Sequence, residues 1–137
     1  MPKAKFRYMN DLEKVISEMD FRYFGNGEHK VEIDQFFAGE NIVFLDVRAK
    51  EEQETVKLSL SHHCQVIEIP TNEIPKRINE IPKDKSIGIF CSAGVRATII
   101  FVYLKSKGFK DVKIILGGYP PLMAAVMPGK LYKKLNK

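Results

Sequence analysis

The sequence predicts an α/β domain: a central, mostly parallel sheet of about five strands flanked by helices, with a short helical extension at the N-terminus. Three observations carry this. Short apolar runs lie at 42–45, 65–69, 86–90 and 112–116, as expected of strands covered on both faces. Segments of helical period separate them, which implies βαβ units and a parallel sheet. The length, 137 residues with 45% apolar and 28% charged side chains, fits one domain able to bury its own core.

The elements follow in order. Leu12, Val15, Ile16 and Met19 recur at helical spacing, and Asn10 or Asp11 can cap that helix. Phe21–Gly27 is expected to be a turn, since Gly and Asn tolerate positive φ. Residues 1–27 are too few to fold alone and are assigned as an extension of a domain spanning 28–137. Ile42-Val43-Phe44-Leu45 is the first strand, and Gln65–Ile69 is the second, stopped by Pro70. Thr71–Ile81 is expected to be a helix with Ile74, Ile78 and Ile81 on one face. Pro75 falls near its start, where the missing N–H is tolerated, and Pro82 ends it. Ser86–Phe90 is the third strand, Val95–Lys107 a helix with Gly108 as its C-cap, and Val112–Leu116 the fourth strand before the Gly117-Gly118 turn.

Two cysteines, Cys64 and Cys91, are too few for a secreted disulfide scaffold. Met1–Lys5 begins no long apolar run, so no signal peptide is expected. The longest uncharged stretch, Ile114–Gly129, is too short for a bilayer and is broken by Gly117-Gly118 and Pro120-Pro121. The expectation is a cytoplasmic domain with no membrane contact. The net charge of +5 is uneven. Residues 1–90 hold 13 Lys/Arg against 16 Asp/Glu, net −3, while residues 91–137 hold 9 against the single Asp111, net +8. A basic third can attract nucleic acid. Aromatics are not interleaved with these lysines as in a base-stacking platform, so solvated helix faces and a frayed Lys-rich tail are expected instead.

The chemistry concentrates in Cys91-Ser92-Ala93-Gly94-Val95-Arg96. A buried strand delivers a cysteine to a short glycine loop, and a helix starts at once. In open α/β sheets ligands bind beyond the carboxyl ends of the strands. Unpaired N–H groups and the positive end of the following helix would face the Cys91 sulfur and favour its thiolate. Gly94 would let successive amides converge into an anion nest, and Arg96 would add a forked cation suited to an oxyanion. The plainer alternative is a buried cysteine followed by an ordinary turn.

These residues resemble the rhodanese-like domain family, whose members share a Cys-x-x-Gly-x-Arg loop. Leu104 with Gly108-Phe109, Asp46-Val47-Arg48 followed by Glu51 and Glu52, Ile69-Pro70 with the later Ile-Pro pairs, and Gly117-Gly118 are also similar, in the family's order. The resemblance covers roughly residues 29–130. It departs at Thr55–Val66, where members carry Gly-His-Ile-Pro-Gly-Ala, and at Leu122, where members usually carry an aromatic. The resemblance implies a sulfurtransferase that needs no cofactor. Cys91 would take sulfur from thiosulfate or a persulfide, including a protein persulfide carrier, and pass it to a thiol or cyanide. The amides of Ser92, Ala93, Gly94, Val95 and Arg96 would hold the persulfide, Arg96 would orient the donor, and Asp46 and Arg48 would support the site.

Three rivals remain. Some rhodanese-like domains only bind partners. Phosphatases and arsenate reductases of the same fold have one more residue between Cys and Arg, which widens the amide cradle. Cys64 could resolve a Cys91 persulfide or sulfenate. His62-His63-Cys64 is not expected to bind metal, because adjacent ligands rarely face one ion and no second Cys/His pair lies at finger spacing.

Overall fold

A computed structural model describes residues 9–136. The start of the expected extension, including the Met1–Lys5 segment, lies outside the described residues, as does Lys137. Five strands, β1 (Lys30–Val31), β2 (Ile42–Asp46), β3 (Gln65–Glu68), β4 (Ser86–Phe90) and β5 (Val112–Ile115), form one sheet in the order β1-β5-β4-β2-β3. Every neighbouring pair is parallel, so the carboxyl ends of the strands share one edge. At the centre, Leu45 stands in register with Ile67 on one side and Ile89 on the other.

Strand alternation divides the core into two layers. Val43, Leu45, Ile87 and Ile89 pack on one face with Ile74, Ile81, Ala97, Ile100, Phe101 and Leu104. Phe44 and Phe90 point the other way, stacked with centroids 5.1 Å apart, onto Phe36, Phe37, Leu122 and Ala125. The helices are α1 (Asp11–Ser17), α2 (Phe21–Gly25), α3 (Ile33–Phe37), α4 (Lys50–Thr55), α5 (Ile74–Arg77), α6 (Val95–Ser106), α7 (Tyr119–Ala125) and α8 (Pro128–Leu135). The first face is covered by α5 and α6, the second by α3 and α7. Helix α1 starts in a reciprocal Asn10–Glu13 capping box and lies against α6.

Three expectations need correction, and four elements are added. Phe21–Gly25 is a helical turn, because the Asp20 carboxylate accepts the Tyr23 N–H at 2.8 Å and caps it. Thr71–Ile81 is not one helix: two 3₁₀ turns, Thr71–Glu73 and Ile78–Glu80, flank a four-residue α5. Pro75 lies in the first turn of α5, where the missing N–H is tolerated as expected, and Ile74 and Ile81 reach the core. The Lys-rich tail is not frayed through residue 135, since it forms α8, where Lys130 pairs with Asp34 at 2.7 Å and the Lys134 ammonium donates to the Phe37 carbonyl at 2.9 Å. Finally β1, α3, α4 and α7 were not anticipated individually. Among the described residues, no helix is long and apolar enough to cross a membrane.

Candidate functional site

Strand β4 ends at Phe90 and presents Cys91 at the carboxyl edge of the sheet. The chain turns through Ser92-Ala93-Gly94 and enters α6 at Val95. Gly94 occupies φ +91°, a left-handed conformation that L side chains rarely adopt. This rotation brings the Gly94 N–H to 3.0 Å from Cys91 Sγ. The Ala97 N–H donates to the same sulfur at 3.3 Å.

Ala97 was not among the donors expected from residues 92–96. It is the third residue of α6, and the first amides of a helix have no intrahelical partner. One such free N–H therefore points back at the strand end. The position was legible in the sequence once the helix start had been fixed. Cys91 is also more enclosed than an open strand end suggests: it is 2% exposed, while Ala93 and Val95 of its loop face solvent. The enclosure arises because Ala97, fully buried, packs α6 down onto the same core layer.

Arg96 does not stand free. Its Nη1 donates to Glu52 Oε1 at 2.5 Å and its Nη2 to Glu52 Oε2 at 3.1 Å, and Nη2 also reaches Ser92 Oγ at 3.1 Å. Hydrogen bonding to Arg96 is the main cause that holds the Glu52 carboxyl down at about 2, against the opposing effect of burial. The same pairing raises the Arg96 value. Glu52 is a neighbour of the loop to which the sequence spacing alone assigns no role. Only its place after Asp46-Val47-Arg48 hinted at one.

Asp46 and Arg48 pair with each other. Both side chains are fully buried, with Arg48 Nη2 to Asp46 Oδ2 at 2.7 Å and Nε to Oδ1 at 2.9 Å. Burial works against the Arg48 charge, but hydrogen bonds to Asp46 and Tyr119 outweigh it and raise its value. Arg48 further donates to the carbonyls of Glu52 and Val56 at 3.2 and 2.8 Å, and to the Tyr119 hydroxyl at 2.9 Å. It thus clamps α4, the helix that carries Glu52, and ties α7 to it. These two residues reach the cysteine loop through Glu52 and Arg96 on one side and through Tyr119, next to Gly118, on the other.

Gly118 closes the other side. Its backbone lies so near the loop that a Cβ there would sit 2.2 Å from the Ser92 carbonyl oxygen. A cleft of about 710 Å³ opens between the loop residues Ser92–Val95 and the end of β5, with His29 at its wall. Burial, then Lys30 and Lys113, lowers the His29 value.

His63 packs its ring 4.6 Å from that of Phe37. Cys64 is half-buried and its thiol is pushed up to about 11, chiefly by burial. Cys64 packs against the layer opposite Cys91, and Phe37, which His63 meets, belongs to that layer. Among the described residues, no three His, Cys, Asp or Glu side chains gather in a way that could hold a metal ion.

A parallel sheet that offers a cysteine at its carboxyl edge, with helix N-terminal amides aimed at the sulfur, defines a class of nucleophilic-loop α/β domain. Residues 30–125 match the model of the rhodanese-like domain, and the chain belongs to that family. It is 36% identical over 87 residues to a tRNA sulfurtransferase of Actinobacillus succinogenes, covering 63% of this chain and 18% of that protein. A tRNA sulfurtransferase of Photorhabdus laumondii is 32% identical over 118 residues, covering 82% of this chain and 24% of that one. The chain thus spans less than a quarter of the length of these curated relatives. Among solved structures it is similar to an NAD-dependent persulfide reductase from A. fulgidus, at TM-score 0.54 and 35% identity, over 71% of this chain and 16% of that one. A single-domain sulfurtransferase of Saccharomyces cerevisiae shares the fold at TM-score 0.53 and 20% identity, over 72% of this chain and 90% of that one.

Proposed function

We propose that the chain is a sulfurtransferase that carries sulfur as a persulfide on Cys91. The observation that carries this reading is the pair of amides, Gly94 and Ala97, donating to Cys91 Sγ at 3.0 and 3.3 Å. Fixed N–H donors on a sulfur stabilise negative charge there and need no reorganisation during reaction. The sulfurtransferase relatives, and the persulfide reductase whose structure resembles this chain, support the same chemistry.

In the first half-reaction the Cys91 thiolate attacks the outer sulfur of a donor. The new Sγ–S bond takes the thiolate electron pair, and the donor S–S bond leaves with its own pair on sulfite or a thiolate. In the second, a thiol or cyanide attacks the outer sulfur of the persulfide and releases the Cys91 thiolate. No cofactor or metal is required by this electron balance. Sulfur donors, persulfide carriers and thiol acceptors are the partners it implies.

The test is an intact-mass measurement after treatment with a small-molecule persulfide or with thiosulfate. Wild type is expected to gain one sulfur, removable by a reducing thiol, and to release thiocyanate with cyanide. Cys91→Ser is expected to do neither. Sulfur uptake that survives in Cys91→Ser would overturn the assignment.

A further inference from the structure

A guanidinium beside a nucleophilic sulfur suggests a site for anions, yet both guanidiniums of this network are already compensated. Arg48 is matched by Asp46, side chain to side chain, in the interior. Arg96 is gripped fork to fork by Glu52, and one of its nitrogens also serves Ser92 Oγ. Glu52 cannot easily turn away: its Oε1 accepts the Ala49 N–H at 3.0 Å, and Arg48 clamps its helix from below. With its carboxyl held at about 2, Glu52 stays ionised at any working pH. Glu51 stands next to it and shares a shallow cleft with it, Val56 and Tyr119.

We propose that Glu52 is the specificity-determining residue for donor charge: by compensating Arg96 it turns the site away from dianionic thiosulfate and toward sulfane sulfur carried on an uncharged thiol body. This rests on the sulfur-transfer reading above and adds to it the residue that selects the donor. Glu52 acts through Arg96, so it is a positioning residue and touches no reacting atom.

The charge balance of the two reactions explains the selection. With thiosulfate, the Cys91 thiolate and the donor bring three negative charges together, and the products are the Cys91 persulfide anion and the sulfite dianion. With a protonated persulfide the total is a single negative charge, and the products are the protonated Cys91 persulfide and a free thiolate. In both cases one S–S bond breaks as one forms, with no net oxidation. The first needs an uncompensated cation at the loop and the second does not. Glu52 removes that cation.

The test compares kcat/KM for thiosulfate with kcat/KM for the persulfide of N-acetylcysteine methyl ester. Glu52→Gln keeps the shape and an oxygen for the Ala49 N–H but frees the Arg96 charge. It is expected to raise the thiosulfate-to-persulfide ratio roughly tenfold or more, the scale of one charge-assisted hydrogen bond. The gain should lie in the KM for thiosulfate and vanish at high salt, which a merely structural change would not produce. Glu52→Asp keeps the charge and should keep the wild-type preference. If Glu52→Gln folds poorly by circular dichroism, Glu52→Met removes the charge without adding a polar group and carries the same expectation. A ratio unchanged within about twofold in the uncharged variants, or a wild type that prefers thiosulfate, overturns the role of Glu52. The outcomes separate cleanly from the parent reading. A wild type that takes no sulfur on Cys91 from either donor sinks both, whereas sulfur on Cys91 with an unaltered ratio sinks Glu52 alone.

Discussion

A Cβ on Gly118 would have to occupy space that the Ser92 carbonyl oxygen already fills, 2.2 Å away. The obstacle is backbone, not the end of a flexible side chain, so the loop itself would have to move. Gly118→Ala is therefore expected to displace Ser92 and with it the Gly94 and Ala97 amides that meet Cys91 Sγ. Strain at φ +65° and ψ −141°, outside the left-handed helical well that other residues can reach, adds about 1–3 kcal/mol. The expected outcome is a loss of persulfide formation by roughly tenfold or more, with the protein still folded in a thermal melt. Gly94→Ala is the informative contrast, because nothing lies within 4 Å of a Cβ there and only the φ of +91° resists. At this scale the spacing Cys91…Gly94…Arg96 was fully legible, since a strand, a left-handed glycine and a helix start follow one another along the chain. Glu52 was not, because its partner Arg96 lies 44 residues away and no local pattern fixes that register.

Among the elements, α6 and α4 teach opposite lessons. The end of α6 could be read from three residues. The Phe109 N–H returns to the Leu104 carbonyl at 3.1 Å and the Gly108 N–H to that of Lys105 at 3.1 Å, a Schellman closure with Leu104 and Phe109 both in the core. Such a signal is local and self-contained. The helix α4 has no comparable signal: five of its six residues are Lys, Glu or Gln, and only Gln53 is buried. Tertiary bonds from Arg48 hold it in place. In the α5 segment the apolar spacing brings Ile74 and Ile81 to the core, but 3₁₀ turns on either side replace a continuous helix. Asp46 is thus the anchor of α4 at one remove. Asp46→Asn leaves a buried guanidinium without its counter-charge, a change that costs about 3–5 kcal/mol in other buried pairs. Urea denaturation should show an unfolding free energy lower by about that amount, with the midpoint shifted down by that loss divided by the m-value. By contrast, Glu73→Gln at the exposed pair with Arg77 should cost about 0–1 kcal/mol. Replacing both Asp46 and Arg48 with apolar residues should recover part of the loss, because the isolated charge is the expensive species.

At the level of the whole molecule, the sheet separates the two cysteines. Alternation along β4 sends Ile87, Ile89 and then Cys91 to the layer beneath α6. Alternation into β3 sends Cys64 and Val66 to the layer beneath α3 and α7. A disulfide needs Cα atoms within roughly 7 Å and Cβ atoms turned toward each other, a geometry that residues packed in the layers on opposite faces of the sheet do not offer. Cys64 is also a poor nucleophile, since burial pushes its thiol up to about 11 and leaves little thiolate near neutral pH. A Cys91 persulfide therefore has no internal partner that could displace hydrogen sulfide and form an S–S bridge. On the proposed sulfur-transfer reading, its sulfur leaves to an external acceptor, a thiol or cyanide. Cys64→Ser is expected to load sulfur, and to hand it to an added thiol, at the wild-type rate. In the absence of acceptor, both proteins should hold the added sulfur equally long by intact mass. A loaded wild type that instead loses the sulfur and two hydrogens, with peptide mapping that joins Cys64 to Cys91, would show that the sheet opens far enough for the two faces to meet.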